Sequence, residues 1–195
     1  RWFAGAELNY AENLLRIGDD DALAVQHAAE GRELEGITRG ELRDRVAAFA
    51  AGLRSLGVER GDRVVAYLPN TPAALIGFLA TASIGAIWSS CSPDFGVGSV
   101  VDRFAQIGPK VLLAVDGYAY GGRDFDRMGV VETLEGEMPT LERTVLIPYL
   151  DPDADPVLSP IVSSPGMSLR TLTELADRQI ARAIQTVNGV GQVSL

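Results

Sequence analysis

Between residues 61 and 123 the chain alternates apolar runs with short turns rich in Gly, Pro, Asn, Asp and Ser. Residues 63–68 (RVVAYL) and 110–115 (KVLLAV) are β-branched and almost continuously apolar, as expected of strands covered by helices on both faces. Residues 86–90 (AIWSS) predict a third strand between them. The first connection is opened by Asn70, Thr71 and Pro72 and closed by Gly85; with Leu75, Ile76, Phe78, Leu79, Ala82 and Ile84 inside it, it predicts a helix buried on most sides. The second connection starts at Ser92-Pro93-Asp94, carries Val97, Val100, Val101, Phe104 and Ile107 at helical spacing, and stops at Gly108-Pro109. This alternation is the signature of an α/β fold with a mostly parallel sheet flanked by helices.

On the upstream side, residues 22–28 and 32–37 predict a hairpin around Ala29-Glu30-Gly31. Thr38 and Glu41 form a capping box for a helix reaching about Leu56 and ended by Gly57, with Leu42, Val46, Phe49, Ala50, Leu53 and Leu56 as its apolar stripe. The apolar entry formed by Trp2, Phe3, Leu8, Tyr10, Leu14 and Leu15 is expected to lie across the domain surface. Downstream, residues 116–123 predict a glycine-rich loop, residues 123–134 a helix with Phe125, Met128, Val131 and Leu134 inward, and residues 144–147 a strand stopped by Pro148. The last forty residues predict a small strand-helix-strand unit, with Ser168 as helix cap and Asn188-Gly189 as stop.

Composition narrows the possible functions. The chain has 195 residues, 47% of them hydrophobic, enough for one sizeable core. A net charge of −9 argues against nucleic acid or an anionic membrane surface as partner, since both reward clustered Lys and Arg. One cysteine, Cys91, excludes an intrachain disulfide and a CxxC pair, and the one histidine, His27, sits in a strand-like run. Lys110, the only lysine, falls at a strand start and is read as structural. No stretch has the length of a membrane span, and residues 1–17 lack the pattern of a signal peptide, so a cytoplasmic location is expected. The abrupt start at Arg1 suggests a missing natural amino terminus.

The loop Asp116-Gly117-Tyr118-Ala119-Tyr120-Gly121-Gly122-Arg123 carries the most promising chemistry. Two glycines permit close backbone approach to a ligand, two tyrosines offer stacking surfaces, and Arg123 offers a fork for phosphate. It follows a predicted strand at the edge where open α/β sheets bind ligands. The residues alone read more readily as a glycine-rich surface turn with an ion-paired arginine.

The stretch PNTPAALIGFLATASIGAIWSSCSPDFGVGSVVDRFAQIGPKVLLAVDGYAYGGR resembles the amino-terminal domain of the adenylate-forming acyl-CoA ligases. WSSCSPDFG followed by DRFAQIGPKVLLAVDGYAYGG is similar, more narrowly, to their acetoacetyl branch, and WFAGAELNYAENLL resembles the family's entry segment, so the likeness covers residues 2–150. It implies a partial N-terminal domain of the adenylate-forming fold. It also implies a parent that joins acetoacetate to coenzyme A with ATP and Mg2+ through an acyl-adenylate, releasing AMP and pyrophosphate. By the same resemblance Gly121, Gly122 and Arg123 contribute to the coenzyme A nucleotide site and Asp94 and Phe95 face that ligand; the acetoacetyl branch often has Lys at the position of Arg123. The phosphate loop ending in Lys, the ribose-binding Asp and the catalytic Lys of the family have no counterpart here, so no catalytic residue is assigned and this chain alone is expected to be inactive.

SLRTLTELADRQIARAIQTVNGVGQVSL, within residues 157–195, resembles a porter-domain segment of resistance-nodulation-division efflux pumps. That likeness implies a tail of different origin joined at residues 151–156, by gene fusion, assembly error or design; the residues alone also read as the next α/β unit of the same domain. The alternative function is therefore a non-catalytic binding or structural module.

Overall fold

The computed structural model describes residues 4–150 with their side chains and, in addition, the backbone of residues 157–160. In chain order it contains α1 (Tyr10–Leu15), β1 (Leu23–His27), β2 (Glu35–Thr38), α2 (Arg39–Ser55), β3 (Arg63–Tyr67), α3 (Pro72–Ser83), β4 (Ile87–Cys91), α4 (Val97–Ala105), β5 (Val111–Val115), β6 (Gly117–Tyr120), β7 (Arg123–Asp126), α5 (Met128–Glu137), β8 (Arg143–Ile147) and β9 (Val157–Pro160). The main sheet has the order β4-β3-β5-β8-β9. Its β4–β3, β3–β5 and β5–β8 pairings are all parallel.

The apolar runs account for the sheet's position. Val64, Val65, Ala66 and Tyr67 of β3 and Val111, Leu112, Leu113 and Ala114 of β5 are completely shielded from solvent, because both strands are central and helices cover both faces. On one face Val64, Ala66, Val111, Leu113 and Val115 join Leu42, Val46, Ala50 and Leu53 of α2 and Ile76, Leu79 and Ala80 of α3 in a single core. Gly77 lets α3 lie close to the sheet, since a Cβ there would stand 3.1 Å from Leu113 and 3.2 Å from Trp88. Val100 and Phe104 of α4 and Leu134 of α5 are fully buried too; truncating a core side chain of the size of Phe104 to Ala costs about 3–5 kcal/mol.

Local chemistry sets the helix ends. The Thr38 hydroxyl accepts the Glu41 amide at 3.2 Å while the Glu41 carboxylate accepts the Thr38 amide at 2.8 Å, the expected capping box. These bonds hold the Glu41 carboxyl below its ordinary range, the Thr38 amide contributing most. Thr71 stands at the N-cap of α3, but neither it nor Asn70 makes the expected side-chain cap bond there; Pro72 at the first turn needs no amide partner. The entry segment holds a short helix that the pattern did not predict. Asn9 caps it by accepting the Glu12 amide and donates its own amide to the carbonyls of Ala82 and Ser83 at 2.9 and 3.2 Å, fastening the segment to the end of α3. In this segment Leu8 and Tyr10 are largely exposed, and the Tyr10 ring meets Phe78 of α3 with centroids 5.7 Å apart.

Two sequence expectations need correction. The helix expected from Ser92 begins only at Val97, because Pro93, Asp94 and Phe95 form a turn first. The loop and helix expected across residues 116–134 are instead the antiparallel β6–β7 hairpin followed by α5. Gly121 and Gly122 take φ of 61° and 70°, the positive values that a two-residue hairpin turn requires at both positions. Arg123 and Phe125 therefore lie on a strand: Phe125 stacks on Tyr118 with ring centroids 5.0 Å apart, and Met128 is exposed rather than inward. Val131 and Leu134 are buried as expected. His27 lies half-buried on β1. The expected tail unit falls outside the described residues except for the backbone of β9.

Lys110 is structural. Its ammonium donates to the Gly57 carbonyl at 2.7 Å and to the Asp62 carboxylate at 2.9 Å, pinning the turn before β3 to the start of β5. Asp62 is held below the usual carboxylate range, first by the Glu59 amide and then by Lys110. Lys110 is raised above its ordinary value chiefly by its bond to Asp62.

Two predictions follow from these contacts. Because the folded Asp62 titrates low, its contribution is complete above the usual carboxylate range and disappears as pH falls through the lowered value; the Lys110 share is complete at neutral pH and is lost only as pH climbs through its raised value. Asp62→Asn should therefore cost on the order of 1 kcal/mol at neutral pH, with the gap to the parent chain closing in acid, measured by urea melts across the acid range. The hairpin glycines differ in kind. A methyl at Gly117 would collide with the Phe125 carbonyl and the Leu150 side chain, whereas one at Gly121 meets nothing. Gly117→Ala should cost about 3 kcal/mol by overpacking and Gly121→Ala about 1 kcal/mol by backbone strain, compared in the same urea melts.

Candidate functional site

Parallel pairing brings the carboxyl ends of β3, β4, β5 and β8 to one edge of the sheet, where ligands of open α/β sheets collect. The segments leaving that edge are the candidate site. β3 ends in Tyr67, whose ring is fully buried and whose hydroxyl donates to the Pro93 carbonyl at 2.7 Å. Burial pushes the Tyr67 phenol up, with Arg127 opposing the shift, so it stays a neutral donor. β4 ends in Cys91, buried, its thiol pushed up by burial against a smaller opposing effect of Arg103; a thiol raised in this way is a poor nucleophile.

Arg127 organises the edge. Its Nε donates to the Pro93 carbonyl at 2.8 Å, and another guanidinium nitrogen donates to the Tyr118 hydroxyl at 2.9 Å. The same guanidinium lies 4.9 Å from the Tyr118 ring centroid and 5.7 Å from that of Phe125. Its backbone amide closes the base of the hairpin by donating to the Asp116 carbonyl at 2.8 Å. One residue thus ties the turn after β4 to the hairpin after β5. Asp116 makes a second tie: its carboxylate accepts the amides of Tyr149 and Leu150 at 2.8 and 3.1 Å, joining the ends of β5 and β8.

The residues expected from sequence fall into two groups. Asp94 and Phe95 occupy the exposed turn that Tyr67 and Arg127 hold through Pro93, and Arg103 lies 5.8 Å from the Phe95 ring centroid. Gly121, Gly122 and Arg123 form the exposed tip of the β6–β7 hairpin. No hydrogen bond joins the groups directly among the described residues; they share an edge and are linked through Arg127 and the hairpin. At the tip the Gly121 and Gly122 amides point together and both donate to the Glu30 carboxylate, at 2.8 and 2.7 Å. Arg123 pairs in register with Tyr120, which is 73% exposed, so an aromatic ring and a guanidinium flank that turn.

Sequence reasoning missed Tyr67, Arg127 and Glu30 as parts of this edge, and it placed Asp116 there without its bonds to Tyr149 and Leu150. A tyrosine ending an otherwise apolar strand was a usable signal for Tyr67. Glu30 and Arg127 gave none, because their partners lie 91 and 34 residues away. A separate apolar cleft of about 480 Å³, lined by Tyr10, Leu14, Val25, Leu42 and Leu75 among others, contains none of the candidate residues. Among the described residues no group of three His, Cys, Asp or Glu side chains is placed to hold a metal ion, and no helix is long and apolar enough to cross a membrane.

Comparison with known proteins gives this edge a context. The chain is 51% identical over 152 residues to acetoacetyl-CoA synthetase of Rattus norvegicus, covering 77% of this chain and 23% of that protein. It is 44% identical over 170 residues to acetoacetyl-coenzyme A synthetase of Rhizobium meliloti, covering 87% and 25%. The solved structure of acetoacetyl-CoA synthetase from Streptomyces lividans superimposes with a TM-score of 0.76 at 50% identity, over 80% of this chain and 24% of that one. The chain therefore spans about a quarter of the length of the relatives it matches. The family model for AMP-binding enzyme matches residues 17–179, and the chain, with its parallel sheet flanked by helices, belongs to that AMP-binding enzyme family.

Proposed function

We propose that this chain is part of an acetoacetate–CoA ligase, which activates acetoacetate with ATP as an acyl-adenylate and passes the acyl group to coenzyme A, releasing AMP and pyrophosphate. The names of its half-identical relatives support the substrate assignment. The observation that carries the local role is the hairpin tip: two backbone amides already converge on a carboxylate beside an exposed arginine, and that donor set suits a phosphate. Gly121, Gly122 and Arg123 would hold the phosphates of coenzyme A, with Asp94 and Phe95 facing the same ligand. Coenzyme A supplies the acyl-accepting thiol when bound. The task of these residues is to bind and orient it.

ATP and Mg2+ are assigned to the parent enzyme, because the Gly/Ser/Thr-rich phosphate loop and the catalytic lysine of the resemblance have no counterpart in these residues. By itself the chain is expected to ligate nothing. Its setting is proposed as cytoplasmic, where soluble acid, ATP and coenzyme A meet.

For residues 157–195 a second reading is kept. The likeness of residues 169–177 and 186–195 to an efflux-pump porter segment supports a different origin for this tail, joined at residues 151–156; the family match reaching residue 179 favours continuity.

Two measurements test these readings. In calorimetric titrations with coenzyme A, Arg123→Ala should weaken binding about tenfold while leaving the urea midpoint unchanged, since it removes one exposed charge-assisted contact. Arg127→Ala should weaken binding and also destabilise the fold by about 2 kcal/mol, through loss of its charged bonds to Pro93 and Tyr118. Unchanged binding in Arg123→Ala removes the site assignment. For the tail, long single-molecule reads of the source nucleic acid should run from codon 140 into porter-like repeats if the fusion is real; a phosphate loop in their place ends that reading.

A further inference from the structure

The anion-ready hairpin tip is engaged by the protein itself. Glu30 presents one carboxylate oxygen to each of the Gly121 and Gly122 amides, much as two oxygens of a phosphate would. It reaches them from the turn between β1 and β2, and that turn is fastened at a second point. Arg32 donates to the Tyr149 carbonyl and places its guanidinium 4.3 Å from the Tyr149 ring centroid. Gly31 between them has φ of 74°, which lets the two side chains diverge to separate loops of the same edge. Among the described residues no hydrogen bond or ion pair engages the Arg123 guanidinium, so Glu30 neutralises the amides and not the arginine beside them.

We propose that the Gly121–Gly122 amide pair is an anion seat whose resident occupant is Glu30, a carboxylate plug that an incoming phosphate group must displace. A carboxylate and a phosphate cannot share the two amides, because both are anions and each amide has one proton to give. The incoming group has an advantage the plug lacks, since it can engage Arg123 at the same time. Displacement frees the tip of the β1–β2 turn while Arg32 keeps its base on Tyr149, so the turn acts as a strap that swings and is not lost. The ligand class is a phosphate monoester or diphosphate; coenzyme A as its natural source rests on the reading above.

The test titrates the full chain, as parent, Glu30→Ala and Arg123→Ala, with coenzyme A and separately with inorganic pyrophosphate, with urea melts confirming that each variant folds. A resident competitor lowers apparent affinity by the fraction of protein with the seat closed, so Glu30→Ala should bind both anions about fivefold more tightly than the parent. Arg123→Ala should bind both more weakly. If Glu30→Ala binds no better than the parent while Arg123→Ala loses coenzyme A, the plug is overturned and the coenzyme A site stands. If Glu30→Ala tightens pyrophosphate but no variant takes coenzyme A, the seat stands and the coenzyme A reading falls. Absence of binding of either anion to any variant overturns both.

Discussion

Parallel pairing of four strands is the constraint on which the rest of this structure depends. It forces β3, β4, β5 and β8 to end at a common edge, and every segment leaving that edge carries backbone groups that the sheet no longer satisfies. Tyr67, Asp116 and Arg127 meet this requirement. Each supplies a side-chain bond to a neighbouring turn, so the edge becomes a connected surface instead of four separate loops.

The same constraint separates stability from recognition. Below the edge, β3 and β5 are sealed by helices on both faces and tolerate little change in volume. At the edge the backbone is exposed, and the groups proposed for recognition are ones the core does not need: the glycine amides, Arg123, Tyr120, and the Asp94-Phe95 turn. The β1–β2 hairpin, although it belongs to a different sheet, reaches this edge through Glu30 and Arg32. A ligand arriving there meets glycine amides already paired with Glu30 beside an Arg123 guanidinium that no described residue engages, so its affinity is set by what it displaces as well as by what it gains.

Membership of the AMP-binding enzyme family rests on a match over most of the chain, while the chain spans about a quarter of its relatives. The role proposed for these residues is binding and scaffolding rather than bond-making. The role proposed for Arg123 is of that kind, a charge that positions phosphate, and it agrees with an edge where burial keeps the one thiol protonated and the central tyrosine neutral.

The linear pattern by itself determined the strand-helix alternation, the parallel sheet and the capping box at Thr38, because each depends on contacts within a turn or on burial of a continuous apolar run; Lys110 was read as structural from its place at a strand start, but its partners Gly57 and Asp62, 53 and 48 residues away, were supplied by the tertiary fold. The pattern also singled out Gly121, Gly122 and Arg123, since paired glycines beside a basic residue are visible locally. It misread residues 123–126 as helix: the spacing of Phe125, Met128, Val131 and Leu134 suits a helix, and only the return of β7 onto β6, with Phe125 stacked on Tyr118, makes them strand. The pairing of Glu30 with the hairpin glycines and of Arg127 with Pro93 was decided by tertiary structure alone. These partners are brought together by the sheet and not by the chain, and a charged side chain in sequence carries no mark of which distant carbonyl or amide it will meet.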